Sequence, residues 1–440
     1  MLTHRSISHF FIPRRYKRPQ FAADVLYLLR DELHISSWHS PYLKPSGVKI
    51  TKASGSLTNA VFFVSYPTAS GVRPRTVLLR IYGPSSAALI SRPHELRTLH
   101  MLSSVYKIGP RVFGTFGNGR VEEYFESSAL TAKDLRDPQT SRWIARRMRE
   151  LHSVDISIVS GEEWENQSIL SVKKNFRDWL TPAAEVLNLF IEKISLIADF
   201  NSSHIWWNLK NDIDLPRLVR EWTAYMTWIK EWEKTHKRSP RVFAHNDTQY
   251  GNLLRLTRPP SGEGGPLPNH HNIIVVDFEY AAPNPAACDI ANHFLEWTSN
   301  YHSDTPHLLH LNRYPSESER RDFYRAYLAL ALAQSSSSGK KKESSFLPST
   351  PTTTFITTLD YEVSLSKAEN GVKEEDILAL EEQVRVWTPA CHVQWTIWGL
   401  VQGRDDVLEG VVGEFDYLNY SRGRALAFRE SLEALGIVVK

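Results

Sequence analysis

The chain has 440 residues, 42% of them hydrophobic and 23% charged, and its 52 basic and 49 acidic residues leave a formal charge of +3. That balance gives no electrostatic case for a nucleic-acid partner, and no apolar run reaches the roughly 18–20 residues needed to span a membrane. The length exceeds one ordinary core, so two lobes or two domains are expected.

Basic residues gather at the start, where Arg5, Arg14, Arg15, Lys17 and Arg18 precede the first acidic residue, Asp24. A targeting presequence has this composition; the simpler expectation for residues 1–46 is a disordered basic arm followed by a leading helix. Between Gly47 and Gly83 three runs, GVKITKA, NAVFFVSYP and RTVLLRIYG, are rich in β-branched and aromatic residues and bounded by turn formers, which predicts a small antiparallel sheet. RPHELRTLHMLSSV follows with Leu96, Leu99 and Leu102 at helical spacing, then RVFGTF and RVEEYFE flank the turn Gly117-Asn118-Gly119. Residues 47–126 therefore read as a strand, helix and hairpin lobe.

Beyond Glu126 the pattern turns helical, as in TSRWIARRMRELHSV and LVREWTAYMTWIKEWEK, so residues 127–440 read as a mostly helical second lobe. Its strand signals surround VFAHNDTQYGNLLRL and NIIVVDFEY. Two interruptions, residues 259–272 (Pro/Gly-rich) and 334–355 (Ser, Lys and Thr-rich), are expected to be disordered insertions. Cys288 and Cys391 are far apart in the sequence and suggest neither a disulfide framework nor a zinc site; they fit a reducing, cytoplasmic setting.

The most informative segment is His245-Asn246-Asp247-Thr248-Gln249-Tyr250-Gly251-Asn252, followed after a loop by an apolar run ending in Asp277-Phe278-Glu279. Single Asp and Asn residues in loops are usually turn formers. Here an Asp and an Asn share one loop and a second Asp ends a strand, the set that phosphoryl transfer uses to orient a hydroxyl and hold magnesium through oxygen ligands. Upstream, Ser54-Gly55-Ser56-Leu57-Thr58-Asn59 lies between two strands, where a turn can aim backbone N–H groups at phosphates. Arg80 ends VLLR, the place of a phosphate-binding basic residue, and Glu95 on the next helix is within reach as its partner.

These residues resemble the choline/ethanolamine kinases, and most of all their fungal members. The likeness runs through the phosphate loop, VLLRIYG, GPRVFGTFGNGRVEEYF, HNDTQYGNLL, VVDFEYAAPNPAACDIANHFLEW, WTIWGLVQ and FDYLNYS. It implies an α+β, bilobal, protein-kinase-like fold of the choline kinase and aminoglycoside phosphotransferase type, with a small antiparallel-sheet N-lobe and a larger helical C-lobe. It further implies ATP and Mg2+ as cofactors, and choline, with ethanolamine beside it, as the acceptor whose phosphorylation supplies phospholipid synthesis. Asp247 is then the catalytic base. Asn252 and Asp277 are the magnesium ligands, and Gly55, Ser56, Thr58, Asn59, Arg80 and Glu95 the nucleotide side. Gln249, Tyr280, Glu296, Tyr301, Trp395, Trp398 and Tyr420 line the acceptor pocket. A quaternary ammonium has no N–H to donate, so aromatic faces and a nearby carboxylate are the chemistry that recognises it. Paired tryptophans at helical spacing are otherwise usually core residues, and Asp289 and Asn292 read equally well as caps of their helix.

Three alternatives stay open on the sequence alone: an ethanolamine-preferring enzyme, an aminoglycoside or other small-molecule kinase of the same fold, and a catalytically silent binding relative. A polycationic aminoglycoside would call for several carboxylates rather than rings with one Glu. A homodimer stays open as well.

Overall fold

Strands in which every second residue is branched or aromatic bury one face and leave the other for polar chemistry, and the first part of the chain is built on that alternation. In the computed structural model, residues 6–7, 9–53, 59–67, 74–83, 89–161, 164, 166, 169–196, 206–259, 261–262, 265–338 and 358–438 are described. Contacts divide the chain into two units, Met1–Ser127 and Ser128–Lys440.

The first unit carries strands β1 (Ser6–Ile7), β2 (Lys49–Lys52), β3 (Asn59–Ser65), β4 (Val77–Tyr82), β5 (Val112–Phe116) and β6 (Gly119–Glu123), in the order β1-β5-β6-β4-β3-β2. Every pairing is antiparallel except β1 with β5. Phe62 lies opposite Leu79, Val64 opposite Val77, and Leu79 opposite Val121, so these residues share one apolar face. Helix α1 (Pro19–Tyr27) covers that face through Phe21, Val25 and Leu26. On the opposite face Val61, Arg80 and Arg120 stand side by side. Helix α2 spans Arg92–Met101 and contributes a buried Glu95. Gly119 is needed where β4 passes close by, since a Cβ there would lie 2.2 Å from the Arg80 carbonyl oxygen.

The expectation of a disordered basic arm fails from residue 9 onward. Phe11 is buried in the core, its N–H donates to Asn118 Oδ1 at 3.0 Å, and its carbonyl accepts from Asn118 Nδ2 at 2.8 Å. Counting cations hid the apolar series Phe11, Phe21, Val25, Leu29, Leu33 and Trp38, whose burial decides the outcome.

The second part continues with β7 (Ser127–Ala129), α3 (Pro138–Leu151), α4 (Ile156–Ser160), α5 (Ser171–Ser195), α6 (Leu209–Asp212), α7 (Leu215–Trp232), β8 (Arg241–Ala244), β9 (Leu253–Leu256), β10 (Ser261–Gly262), β11 (Gly265–Pro266), β12 (Ile273–Val275) and β13 (Ala282–Pro285). Then come α8 (Ala286–Glu296), α9 (Glu317–Ser338), α10 (Thr358–Asn370), α11 (Glu374–Gln402), α12 (Arg404–Glu409) and α13 (Tyr417–Ala434). Helices α3, α7 and α13 start at acidic caps. Asp137 accepts from the Thr140 N–H at 2.9 Å with Pro138 in the first turn, and Asp214 and Asp416 cap α7 and α13 in the same way. Helix α11 is buried on all sides over its second half, as expected of a helix that is apolar all round, and it packs against α13, α5 and α8.

Two short antiparallel ribbons aim the chemistry. Ala244 at the end of β8 faces Ala282 at the start of β13, and Leu253 at the start of β9 faces Val275 at the end of β12. The loops 245–252 and 276–281 therefore leave the ribbons at the same end. This α+β architecture, a small sheet with a larger helical part, is the one the sequence predicts. Among the described residues no helix is long and apolar enough to cross a membrane.

The two insertions differ from expectation. Residues 259–272 include the β10–β11 pair and a turn at Asn269–Asn272 in which His270 is fully buried. Composition signalled disorder there, but polar contacts with α3 and α10 hold the segment. Residues 334–338 continue α9, and 339–357 lie outside the described residues. The two cysteines, distant in sequence, meet where α8 crosses α11 with their sulfurs 3.7 Å apart, both reduced and buried. Cys288 is pushed up by its hydrogen bond with Cys391 and by burial, which keeps it a thiol. Native protein should therefore leave both thiols unreactive toward Ellman's reagent, and two equivalents should appear on denaturation. Rapid titration of either thiol in the folded protein would contradict this packing.

Candidate functional site

The loop after β8 is fixed from beneath by Asp289 on α8. Its carboxylate accepts from the His245 N–H at 2.9 Å, the Asn246 N–H at 2.7 Å and His152 Nε2 at 2.9 Å. Burial alone would push this carboxyl up, but the His152 hydrogen bond and the nearby imidazoles hold it below its usual range. Asp289 is thus an anchor for backbone N–H groups, neither the helix cap nor the ligand contact that its sequence position suggests. Four residues further along α8, His293 donates from Nδ1 to the Thr248 carbonyl at 2.8 Å and accepts from Trp297 Nε1 at 3.3 Å. Burial lowers its pKa to about 4, which matches a neutral ring with one donor and one acceptor.

Asn246 adopts φ 63° and Asp277 φ 66°, left-handed conformations that cost energy for residues other than glycine. Asn246 is held there by its own amide, which donates to the carbonyls of Tyr280 (2.9 Å) and Ala282 (3.2 Å) and accepts from Asn284 Nδ2 at 2.9 Å. The turn projects Asp247 outward. Asn252 Nδ2 donates to both the carbonyl and Oδ2 of Asp247, each at 2.9 Å, and the Asn252 carbonyl accepts from the Val276 N–H at 3.0 Å. Asp247, Asn252 and the Val276-Asp277 step are therefore brought together from separate stretches of chain. Desolvation pushes the Asp247 carboxyl well above its usual range, and the charges of Glu296, Asp277 and Glu279 add to this against the Asn252 hydrogen bond. Gln249 folds back so that its Oε1 accepts from the Gly251 N–H at 3.1 Å.

Beside this loop lies a cluster of rings. Trp395 and Trp398 are one turn apart on α11, with centroids 5.3 Å apart and edge to face. Tyr280 lies 5.6 Å from Trp395, and Tyr420 lies 5.8 Å from Trp398. Each indole N–H is spent within the protein, Trp395 on Asn292 Oδ1 at 2.6 Å and Trp398 on the Tyr280 hydroxyl at 2.7 Å, which fixes the ring orientations. Glu296 accepts from the Tyr301 hydroxyl and from Arg424 Nη2 at 3.0 Å, with both Glu296 and Arg424 fully buried. The guanidinium of Arg424 also stands 5.0 Å over the Tyr420 ring. Six of the seven residues expected to line an acceptor pocket, Tyr280, Glu296, Tyr301, Trp395, Trp398 and Tyr420, are joined by these contacts, whereas Gln249 is turned back onto its own loop. Sequence reasoning missed Arg424, Asn292 as the partner of Trp395, and Glu279. It also took Glu296 as a bare counter-ion, whereas Arg424 matches its charge.

In the first unit Glu95 accepts from Arg120 and Arg92, each at 2.7 Å, while Arg80 pairs with Glu122 at 3.2 Å. Arg120 also donates to Glu122. Arg80 acts on Glu95 through charge, but the tight partners of that carboxylate are the other two arginines. Burial would push Glu95 up, and Arg120, Arg92 and Arg80 together bring it down to about 2. Asn59 accepts from Arg92 Nη2 at 3.3 Å. Gly55, Ser56 and Thr58 lie outside the described residues. The missed pair Arg120 and Glu122 was visible as alternate residues of GRVEE, two charges on one face of a strand.

With this geometry in view, comparison with known proteins is direct. Residues 50–429 match the choline/ethanolamine kinase family. The choline kinase of Schizosaccharomyces pombe is 32% identical over an alignment covering 95% of this chain and 90% of that protein. The choline/ethanolamine kinase of Homo sapiens is 28% identical, covering 94% and 87%. Among solved structures, the ethanolamine kinase of Plasmodium vivax is similar in fold with a TM-score of 0.61 at 19% identity, over 94% of this chain and 96% of that one. The chain belongs to the choline/ethanolamine kinase family.

Proposed function

We propose that the chain transfers the γ-phosphoryl group of ATP to the hydroxyl of choline, and of ethanolamine as a second acceptor. The observation that carries this reading is that the Asp247–Asn252 loop and the Trp395–Trp398–Tyr280–Tyr420 rings are held to one helix, α8, through Asp289, His293 and Asn292. A positively charged alcohol lodged against those rings has its hydroxyl presented toward Asp247.

In this mechanism positioning supplies most of the rate. The transition state is loose, so Asp247 orients the alcohol and accepts its proton late. Burial raises its affinity for a proton, which suits that role. Asn252 and the carboxylate of Asp277 are the residues that would hold Mg2+. The Asn252 amide spends its N–H groups on Asp247, which leaves its oxygen as a donor, and hard oxygen ligands are what magnesium prefers. Bound magnesium would stabilise charge on the transferred phosphoryl group. On the nucleotide side Arg80 and Asn59 are the candidates for phosphate contacts, with Glu95 as a support. The two buried free thiols suit a cytoplasmic setting.

For the acceptor, the buried Arg424 partner means that the slot recognises the cation chiefly through aromatic faces rather than through an unmatched carboxylate. Specificity constants for choline, its mono- and dimethylated analogues and ethanolamine, measured with MgATP on purified protein, test the assignment. Choline should head the series, and absence of phosphocholine formation would overturn it.

Replacement of Asp247 by Asn should lower kcat by roughly 10²–10⁴-fold with ATP binding retained. A near-normal turnover would remove Asp247 from the mechanism. Trp395→Ala or Trp398→Ala should raise the choline KM by roughly 2- to 30-fold, the equivalent of about 0.5–2 kcal/mol for a cation–π contact, with little change for ATP. Unaltered choline dependence in both variants would return the indoles to a purely structural role.

A further inference from the structure

Away from the loop and the rings, the segment between β9 and β12 crosses the end of α3 and brings together a second set of ligand-type side chains. Glu150 Oε1 accepts from His270 Nε2 at 2.8 Å and from His271 Nε2 at 2.9 Å, and the three residues place one donor atom each within 4.8 Å of one another. Neighbouring residues in an extended chain point to opposite sides. Here the tight turn Asn269–Asn272 directs both rings at one oxygen, with centroids 4.7 Å apart and planes 77° to each other. Two imidazoles and one carboxylate converging on a point are the donor set of a three-ligand zinc site with an open fourth position.

We propose that Glu150, His270 and His271 form a binding site for a zinc-class divalent cation, which staples the β9–β12 segment to α3. The second oxygen of Glu150 is held by Arg147, the kind of outer partner that orients a ligating carboxylate. His270 is fully buried and stacked on Tyr361 of α10 at 6.0 Å and 26°, so its ring is fixed. The His271 side chain keeps 24% of its surface exposed, which gives a cation and a water access to the remaining position. Mixed nitrogen and oxygen ligands favour zinc, cobalt or nickel over magnesium and calcium, which take oxygen.

The geometry also bounds the affinity. Ligands about 2.0–2.2 Å from a tetrahedral zinc stand roughly 3.4 Å apart, so capture requires the two contacts to open by about 0.5 Å. To bind the ion through Nε2, each imidazole gives up its hydrogen bond to Glu150 and carries its N–H on Nδ1 instead. For His270 no acceptor for Nδ1 is present among the described residues, and Arg147 places a positive charge beside the cation. Both weaken the site, which is therefore of moderate affinity and serves to hold a segment rather than to fold the unit.

The test is equilibrium dialysis of the full-length protein against Zn2+ in excess Mg2+, with bound zinc measured by atomic absorption, for wild type, His271→Asn and Asp277→Asn. One equivalent is expected in wild type and in Asp277→Asn, with at least tenfold weaker binding in His271→Asn. Cobalt-loaded wild type should show the visible absorption of a tetrahedral site, and His271→Asn should lack it. Wild type that retains no zinc, equal retention in His271→Asn, or loss in Asp277→Asn would each overturn the proposal. His271 is partly exposed, so its variant should fold, as a thermal melt will show. If it does not, the cobalt spectrum of wild type decides the matter alone.

Discussion

Helix α8 is the ruler of the second unit, and the constraint it imposes is one of spacing. Asp289, Asn292, His293 and Glu296 follow one another at i, i+3, i+4 and i+7, so they share one face of the helix. The first holds the loop that carries Asp247, the second fixes Trp395, the third takes the Thr248 carbonyl, and the fourth meets Tyr301 and Arg424. Seven residues of helix rise by roughly 10 Å. Both the loop and the ring cluster are therefore set against one rigid rod.

Asp289 matters most because it takes backbone N–H groups from two consecutive residues, one of them in a left-handed conformation. A strained turn persists only where its surroundings over-determine it. The amide of Asn246 supplies three further bonds, and His152 holds the Asp289 carboxylate in place from the far side, its own Nδ1 taken by the Tyr327 hydroxyl at 2.8 Å. Loss of one member would leave buried donors without acceptors, which is why the support extends from α8 through α3 to α9.

Much of this was legible in the sequence, for identifiable reasons. Strands β3 and β4 and helices α3 and α7 followed from plain periodicity, and the HNDTQYGN and DFE segments marked the loop because their residue types have few structural reasons to occur together. The polar stripe of DIANHFLEW at helical spacing is equally visible, yet sequence position leaves Asp289 and Asn292 balanced between capping their helix and touching a ligand. A cap and an anchor use the same side-chain oxygens, and only the tertiary partner distinguishes them. Arg424 could not be found by local pattern, because its partner Glu296 is remote in sequence and its burial follows from packing of α13 on α11. The segment 259–272 misled for the opposite reason. Pro and Gly composition describes local stiffness and turns, while Glu150 and Glu362, distant in sequence, decide that its histidine turn is held.

The same logic explains an arrangement in the first unit that strand pairing alone would disfavour. Arg80 and Arg120 face each other across β4 and β6, a like-charge pair that is destabilising by itself. Glu122, two residues along the strand, reaches both, and Glu95 from α2 closes on Arg120 and Arg92. Docking of α2 therefore supplies the second carboxylate that Arg120 faces, while Glu122 of the neighbouring strand holds Arg80. Guanidinium and carboxylate groups thus interleave in a nearly dry setting, where any one of them would be costly to leave buried without its partner.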